Sequence, residues 1–151
     1  MRYKKQGGIV KNEEVQKQLY QIEIYKQQIN RLQEELGKIE ILKLEILKSI
    51  ESMEGLKQSK EILIPLGGGV FTRVKVQDCE NVIVNVGADV FVEKSIEETI
   101  REFKESSKEL SNAENKIKEQ ISKTLAAIEK LQKELEGKIG LMEKGQVPES
   151  N

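Results

Sequence analysis

The stretch that decides the fold is residues 61–92, EILIPLGGGVFTRVKVQDCENVIVNVGADVFV. It begins with an apolar run at 61–66, three consecutive glycines at 67–69, and a run at 70–76 in which apolar and polar residues alternate. Alternation with a period of two is typical of a β-strand, and a glycine-rich turn between two such runs predicts a β-hairpin. We therefore expect a first hairpin over 61–76.

A second hairpin is predicted directly after the first. Residues 77–81 have the composition of a turn, and the apolar runs 82–86 and 90–92 are separated by Gly-Ala-Asp at 87–89. Four short strands do not bury both faces of a sheet, and an isolated hairpin is only marginally stable in water. We therefore expect the strands to need strands of other chains, so that the protein is an oligomer.

A long heptad-patterned segment precedes the hairpins. Its apolar residues follow one another mostly at alternating steps of three and four, which is the spacing of a coiled coil. The predicted seam positions are Val15, Leu19, Ile22, Lys26, Ile29, Leu32, Leu36, Ile39, Lys43, Ile46, Ile50 and Met53. Two successive steps of three, from Lys26 to Ile29 and from Ile29 to Leu32, indicate a local stammer. Asn12 is a plausible N-cap and Gly55 a plausible end for this helix.

A second heptad-patterned segment of similar length follows the hairpins. Ser95 is a candidate N-cap, and Glu98 is placed to complete a capping box. The predicted seam positions are Ile96, Ile100, Phe103, Ser107, Leu110, Ala113, Ile117, Ile121, Leu125, Ile128, Leu131, Leu135, Ile139 and Met142. Equal lengths favour two arms of one antiparallel hairpin, because a surplus turn would expose an unpaired apolar stripe.

These predictions define an α+β fold: a long antiparallel coiled-coil hairpin with two β-hairpins at its base. We divide the chain into a flexible N-terminal segment at 1–11, an N-terminal helix at 12–57, the two hairpins at 61–93, a C-terminal helix at 95–143 and a flexible tail at 144–151. Both termini are expected to lie together, at the tip of the helical arm.

Composition excludes several functional classes. The 25 basic and 26 acidic residues are interleaved and give a net charge of −1, so no global field favours nucleic acid or an anionic membrane. The single cysteine, Cys79, has no partner for an internal disulfide. The first residues lack the apolar core of a signal peptide, and no apolar run approaches the ~18 residues of a membrane span. A cytoplasmic protein is the simplest interpretation.

No catalytic constellation is present in the sequence. There is no histidine, and the acidic residues Asp78, Glu80 and Asp89 are better explained as turn formers than as metal ligands. The glycines at 67–69 lead into a strand, whereas a phosphate-binding loop opens into a helix. We therefore expect no catalytic, cofactor-binding or metal-binding residues and no cofactor.

The expected tip of the helical arm is loosely specified. Gly137, Gly140 and Gly145 interrupt the second helix, each costing about 1 kcal/mol of helix propensity relative to alanine. Such a surface could hold exposed apolar segments of another protein, or it could be a chain end without a role. The candidate client-binding residues are Ile9, Val10, Val15, Leu19, Leu135, Ile139, Leu141, Met142 and Val147.

The order of coiled coil, two β-hairpins and coiled coil, with PLGGGVF at 65–71 and NVGADVFVEKSIEETI at 85–100, resembles the alpha-class subunits of the prefoldin family. The family's beta class has one hairpin, so two hairpins indicate the alpha class. The architecture covers nearly the whole chain, whereas the specific motifs cover only 62–100.

The resemblance implies an ATP-independent chaperone, assembled as a hexamer of two alpha and four beta subunits whose hairpins form a β-barrel between subunits. In that scheme the tips hold unfolded clients and pass them to a group II chaperonin. The implied subunit interface contains Ile62, Ile64, Leu66, Val70, Phe71, Val74, Val82, Val84, Val86, Val90 and Phe91. The alternative is an alpha-like subunit that builds a structural filament through its hairpins, with an enzyme a distant third.

Overall fold

A computed structural model describes the backbone of residues 2–146 and the side chains of residues 12–141. The elements follow in the order α1 (Arg2–Gln58), β1 (Glu61–Gly67), β2 (Val70–Lys75), β3 (Asn81–Asn85), β4 (Phe91–Ser95) and α2 (Ile96–Gln146). The predicted fold of two long antiparallel helices separated by two β-hairpins is confirmed.

The chain divides into two compact units. The central unit contains residues 38–114, and the terminal unit contains residues 1–37 together with 115–151. In each unit, a segment of α1 packs against a segment of α2. The central unit also contains both hairpins.

The helices extend further than the sequence indicates. The backbone of α1 is helical from Arg2, ten residues before the expected cap at Asn12, and α2 continues through Gly137 and Gly140 to Gln146. Glycine lowers helix propensity, but propensity is a weak determinant when neighbouring turns are already helical.

The start of α2 is fixed by its cap. The Ser95 hydroxyl accepts a hydrogen bond from the backbone N–H of Glu98 at 3.1 Å, as the sequence predicts. The backbone N–H of Ile96 donates to the carbonyl of Glu80 at 2.8 Å. The second hairpin is thereby joined to the first turn of α2.

The core of the central unit lies where the helices meet the second hairpin. Its buried residues are Ile50, Met53, Ile96 and Ile100, and Ile46, Leu56, Val82 and Phe103 pack against them. Thr99 is also buried, and its hydroxyl donates to the carbonyl of Ser95 at 2.8 Å. Contact with Val82 fixes the second hairpin against the helices.

The core of the terminal unit is a narrower helix–helix seam. Ile22, Ile29 and Ile128 are buried, and Tyr25, Ile121 and Leu131 pack against them. No strand contributes to this unit among its described residues. Its stability therefore depends on the helix–helix contact.

The seam differs from the prediction at several positions. On α1, Gln18 and Tyr25 are half-buried, whereas Leu19 and Lys26 are exposed. The observed sequence 15, 18, 22, 25, 29, 32 alternates regularly between three and four, so the predicted stammer is wrong. A continuous heptad repeat favours this register even at Gln18, where the neighbouring Leu19 is the more apolar residue.

The same correction applies to α2. Thr124 is 9% exposed whereas Leu125 is 52% exposed, so the seam passes through the threonine. Burial of its hydroxyl is tolerated because it donates to the carbonyl of Gln120 at 2.8 Å. Near the end of α2, Lys138 is half-buried and Ile139 is exposed, again opposite to the prediction.

Candidate functional site

Both faces of the first hairpin carry apolar side chains. β1 and β2 are antiparallel, with Ile62 opposite Val74 and Pro65 opposite Phe71. Because successive side chains point to opposite faces, these two pairs lie on different faces. The turn is made by Gly67, Gly68 and Gly69, all with positive φ between 57° and 102°, which glycine adopts without steric cost. The glycines therefore close a hairpin and do not open a helix.

The second hairpin has one face on the helices and one face free. Val82 and Val84 lie on the same face, and Val82 packs on the helical core. The opposite face carries Ile83 and Phe91, which are 73% and 61% exposed. A beta-branched and an aromatic residue exposed on one small face make it a candidate contact surface.

Turns at both ends of the second hairpin are stabilised locally. The Asp78 carboxylate accepts hydrogen bonds from the backbone N–H of Glu80 at 2.8 Å, and from the side chain and backbone N–H of Asn81, both at 3.1 Å. These bonds lower the pKa of Asp78, with the Glu80 N–H the largest cause. At the other end, Asn85 Oδ1 accepts from Gly87 N–H at 3.0 Å. Asp78 therefore serves the turn.

The predicted interface residues fall into two groups. Four are half-buried: Ile62, Val74, Val82 and Val84. Seven are exposed: Ile64, Leu66, Val70, Phe71, Val86, Val90 and Phe91. The exposed group is available to other chains, whereas Val82 already serves the intramolecular core.

Three further apolar residues of the hairpins are exposed, and none of them is among the predicted interface residues. These are Leu63, Ile83 and Val92. Leu63 lies opposite Arg73 and Ile83 opposite Glu93, so each of these two apolar residues has a charged residue as its partner across the hairpin. The signal that could have found them is the presence of apolar residues at both odd and even positions of one strand, which is typical of strands covered on both faces.

The strand edges are also unoccupied. Each sheet of the described residues contains only two strands, β1 with β2 and β3 with β4. Every strand thus presents an outer edge of backbone N–H and C=O groups, and such edges readily pair with strands of another chain. Open edges and exposed apolar residues together make the hairpins a candidate assembly surface.

The terminal unit presents a second set of exposed apolar residues. Of the predicted client-binding residues, Leu19, Ile139 and Leu141 are exposed, whereas Val15 and Leu135 are half-buried along the helix–helix seam. The side chains of Ile9, Val10 and Met142, and the whole of Val147, lie outside the described residues. Three more exposed residues of this unit are not among the predicted client-binding residues: Tyr20, Ile24 and Leu125.

The described residues offer little for other kinds of site. They contain no group of three or more His, Cys, Asp and Glu side chains that could hold a metal ion. Between residues 2 and 146, neither helix has a stretch long and apolar enough to cross a membrane. The surfaces with evident binding chemistry are therefore the apolar ones.

Paired long helices joined to two-stranded hairpins with open edges define the class: an assembly subunit that binds other proteins. The family described as Prefoldin subunit matches residues 25–140. Prefoldin subunit alpha of Methanococcus aeolicus is 52% identical over 87% of this chain and 92% of its own length. Prefoldin subunit alpha 1 of Methanocaldococcus jannaschii is 36% identical over 84% and 89%.

A solved structure shows the same architecture. A filamentous PFD from Methanocaldococcus jannaschii, determined by cryo-electron microscopy, superposes with a TM-score of 0.63 at 26% identity, covering 75% of this chain and 96% of that one. The chain belongs to the prefoldin family, in its alpha class. It is thus a chaperone subunit without enzymatic activity, and it assembles with other prefoldin subunits.

Proposed function

We propose that the chain is a holdase subunit that captures unfolded proteins without ATP and passes them to a group II chaperonin. The observation that carries this proposal is the exposed apolar surface of the terminal unit, where Leu19, Ile139 and Leu141 are not needed for the helix–helix seam. Several weak sites held on one assembly raise the effective concentration of binding groups, so no single surface needs high affinity. We further propose that it acts in the cytoplasm, as is typical of the family.

The second part of the proposal concerns assembly. The exposed hairpin residues, led by Leu66, Val70, Phe71, Val90 and Phe91, pair with hairpins of prefoldin beta subunits in a barrel between subunits, in a hexamer of two alpha and four beta chains. A closed barrel pairs every strand edge and encloses the inward-facing side chains of the hairpins.

Capture of clients is tested by suppression of aggregation. A double variant, Leu19→Gln with Leu141→Gln, is compared with wild type as a model enzyme is unfolded by heat and its light scattering is followed. Leu42→Gln is the matched control, because Leu42 is 48% exposed and Leu19 is 50% exposed. Weaker suppression by the double variant alone supports the proposal. Equal suppression by all three proteins contradicts it.

Assembly is tested by mass measurement of the pure chain with and without a candidate beta subunit. A fixed mass reached only on mixing supports the hexamer. Phe71→Gln, at an exposed residue of β2, is expected to lower that mass without changing helix content by circular dichroism. A wild-type chain that stays monomeric in both conditions contradicts the proposal.

A filament-forming subunit is the second candidate function. The observation in its favour is the likeness to the filamentous PFD of Methanocaldococcus jannaschii. Subunits that pair hairpins head to tail without closing a ring grow without limit. Sedimentation that increases continuously with the concentration of the pure chain supports the filament, whereas a plateau excludes it.

A further inference from the structure

Two exposed leucines of α1 lie on one face of the helix within the central unit. Leu44 is 54% exposed and Leu47 is 50% exposed. Glu40 precedes Leu44 by four residues, and Glu51 follows Leu47 by four. Steps of four, three and four keep residues on one face of an α-helix. We name the row formed by Glu40, Leu44, Leu47 and Glu51 the lateral stripe.

The lateral stripe borders a groove beside the helix–helix seam. The groove is lined by Glu40, Lys43, Leu44 and Leu47 of α1 and by Glu114 of α2. Lys43 and Glu114 form an ion pair at 3.0 Å along this groove. A groove with an apolar wall next to two packed helices has the shape that receives the apolar face of a third helix.

The charges of the lateral stripe indicate whether its partner is basic or acidic. Among residues 12–141, neither Glu40 nor Glu51 takes part in an ion pair. Lys48 lies beside Leu44 on the outer border, four residues further along the helix. The stripe therefore has a carboxylate at each end, Lys48 at its outer side, and at its inner side Lys43, whose charge is balanced by Glu114. Charged groups around an apolar contact determine which partners are accepted.

We propose that the lateral stripe binds a basic, apolar helical segment of a protein that is being held. This inference rests on the proposed holdase function and adds the chemistry of the bound segment. The matching helix carries two apolar residues three positions apart, with a Lys or Arg about one turn before and one turn after them. A second copy of the same stripe is a poor partner, because pairing two stripes brings the carboxylates of Glu40 and Glu51 together.

The test uses two dye-labelled helical peptides and fluorescence anisotropy with the full-length chain. Both peptides contain the same leucine pair, flanked by lysines in one and by glutamates in the other. Leu44→Gln is expected to weaken binding of the lysine peptide by about fivefold or more, as expected for losing one leucine contact. Leu42→Gln, on the same helix with similar exposure but off the stripe, is expected to change binding less than about twofold.

The charge contribution is tested separately. Glu40→Gln with Glu51→Gln is expected to weaken binding of the lysine peptide and to reduce its dependence on salt concentration, because two of the attracting charges are removed. Circular dichroism checks that each variant keeps its helix content. The inference is overturned if the glutamate peptide binds as well as the lysine peptide, or if Leu42→Gln weakens binding as much as Leu44→Gln.

Three further results bear on this inference, and the last two separate it from the proposed function. If Leu44→Gln lowers the sedimenting mass of the chain, the stripe is a contact between copies and the inference is wrong. If wild type suppresses aggregation of the model enzyme but the lysine peptide binds independently of Leu44, the inference fails while the holdase proposal stands. If wild type binds the lysine peptide through Leu44 but suppresses no aggregation, the stripe binds basic helices and the holdase proposal fails.

Discussion

The ion pair between Lys43 and Glu114 is expected to determine how α1 and α2 align in the central unit. Lys43 occupies a seam position, and its Nζ lies 3.0 Å from Glu114 Oε2. The side chains are 26% and 13% exposed, so the pair is neither fully buried nor on the open surface. At an effective dielectric constant of about 20, the attraction at this distance is about 5 kcal/mol before desolvation is subtracted.

The perturbation is Lys43→Met, which keeps the length of the side chain and removes its charge. Breaking a fully buried pair costs about 3–5 kcal/mol, and an exposed pair contributes about 0–1 kcal/mol. With partial exposure we expect the free energy of unfolding to fall by about 2 kcal/mol, which lowers the urea midpoint by about 1 M. The double variant Lys43→Met with Glu114→Leu is expected to recover most of the loss, since the carboxylate that faces the methionine is then replaced by an apolar group.

The measurement is urea unfolding followed by circular dichroism at one fixed protein concentration, because assembly changes apparent stability. Lys104→Met is the control, since it breaks the 3.5 Å pair with Glu54, whose side chains are 63% and 52% exposed. A loss below about 0.5 kcal/mol is expected there. If Lys43→Met has no larger effect than Lys104→Met, the reasoning about partial burial is wrong.

Three further predictions concern the seam and the turns. In urea unfolding, Thr124→Gln is expected to lower the free energy of unfolding by about 1–3 kcal/mol and Leu125→Gln by less than about 0.5 kcal/mol. The reverse order would show that the seam passes through Leu125, as apolar spacing alone predicts. Asp78 has a lowered pKa, so its contribution to the turn is complete above the ordinary value of about 4 and is lost as the pH falls through the lower folded value. Faster amide exchange of Glu80 and Asn81 at low pH, absent in Asp78→Asn, checks this prediction. Gly87 has φ of 113°, so Gly87→Ala is expected to destabilise the second hairpin by about 1 kcal/mol or more; an unchanged thermal midpoint would show that the turn relaxes.

The helices and hairpins were predictable because each depends on local patterns. Glycine turns between alternating runs are strong signals, and β1 and β2 start at the predicted residues 61 and 70. The seam was less predictable because its rule is continuity of the repeat. Gln18 and Thr124 occupy seam positions next to the more apolar Leu19 and Leu125. Counting apolar residues alone therefore moved the predicted seam by one residue at both places.

The candidate surfaces were predictable only in part. The resemblance to the prefoldin family implied Phe71 and Phe91 as contact residues, and both are exposed, but it did not point to Ile83. Whether a strand residue contacts its own helices or another chain depends on how the hairpin sits on the helices. Val82 and Ile83 are neighbours in sequence, yet one packs on the core and the other is 73% exposed.

The open hairpins also have a consequence for the newly made chain. Before partners arrive, their strand edges and exposed apolar residues are accessible to any other unpaired strand, which is the usual starting point for misassociation. A cell that makes this subunit in excess of its partners is therefore expected to accumulate orphan chains that aggregate or are degraded. Balanced synthesis of subunits is in that sense a requirement of the hairpin geometry itself.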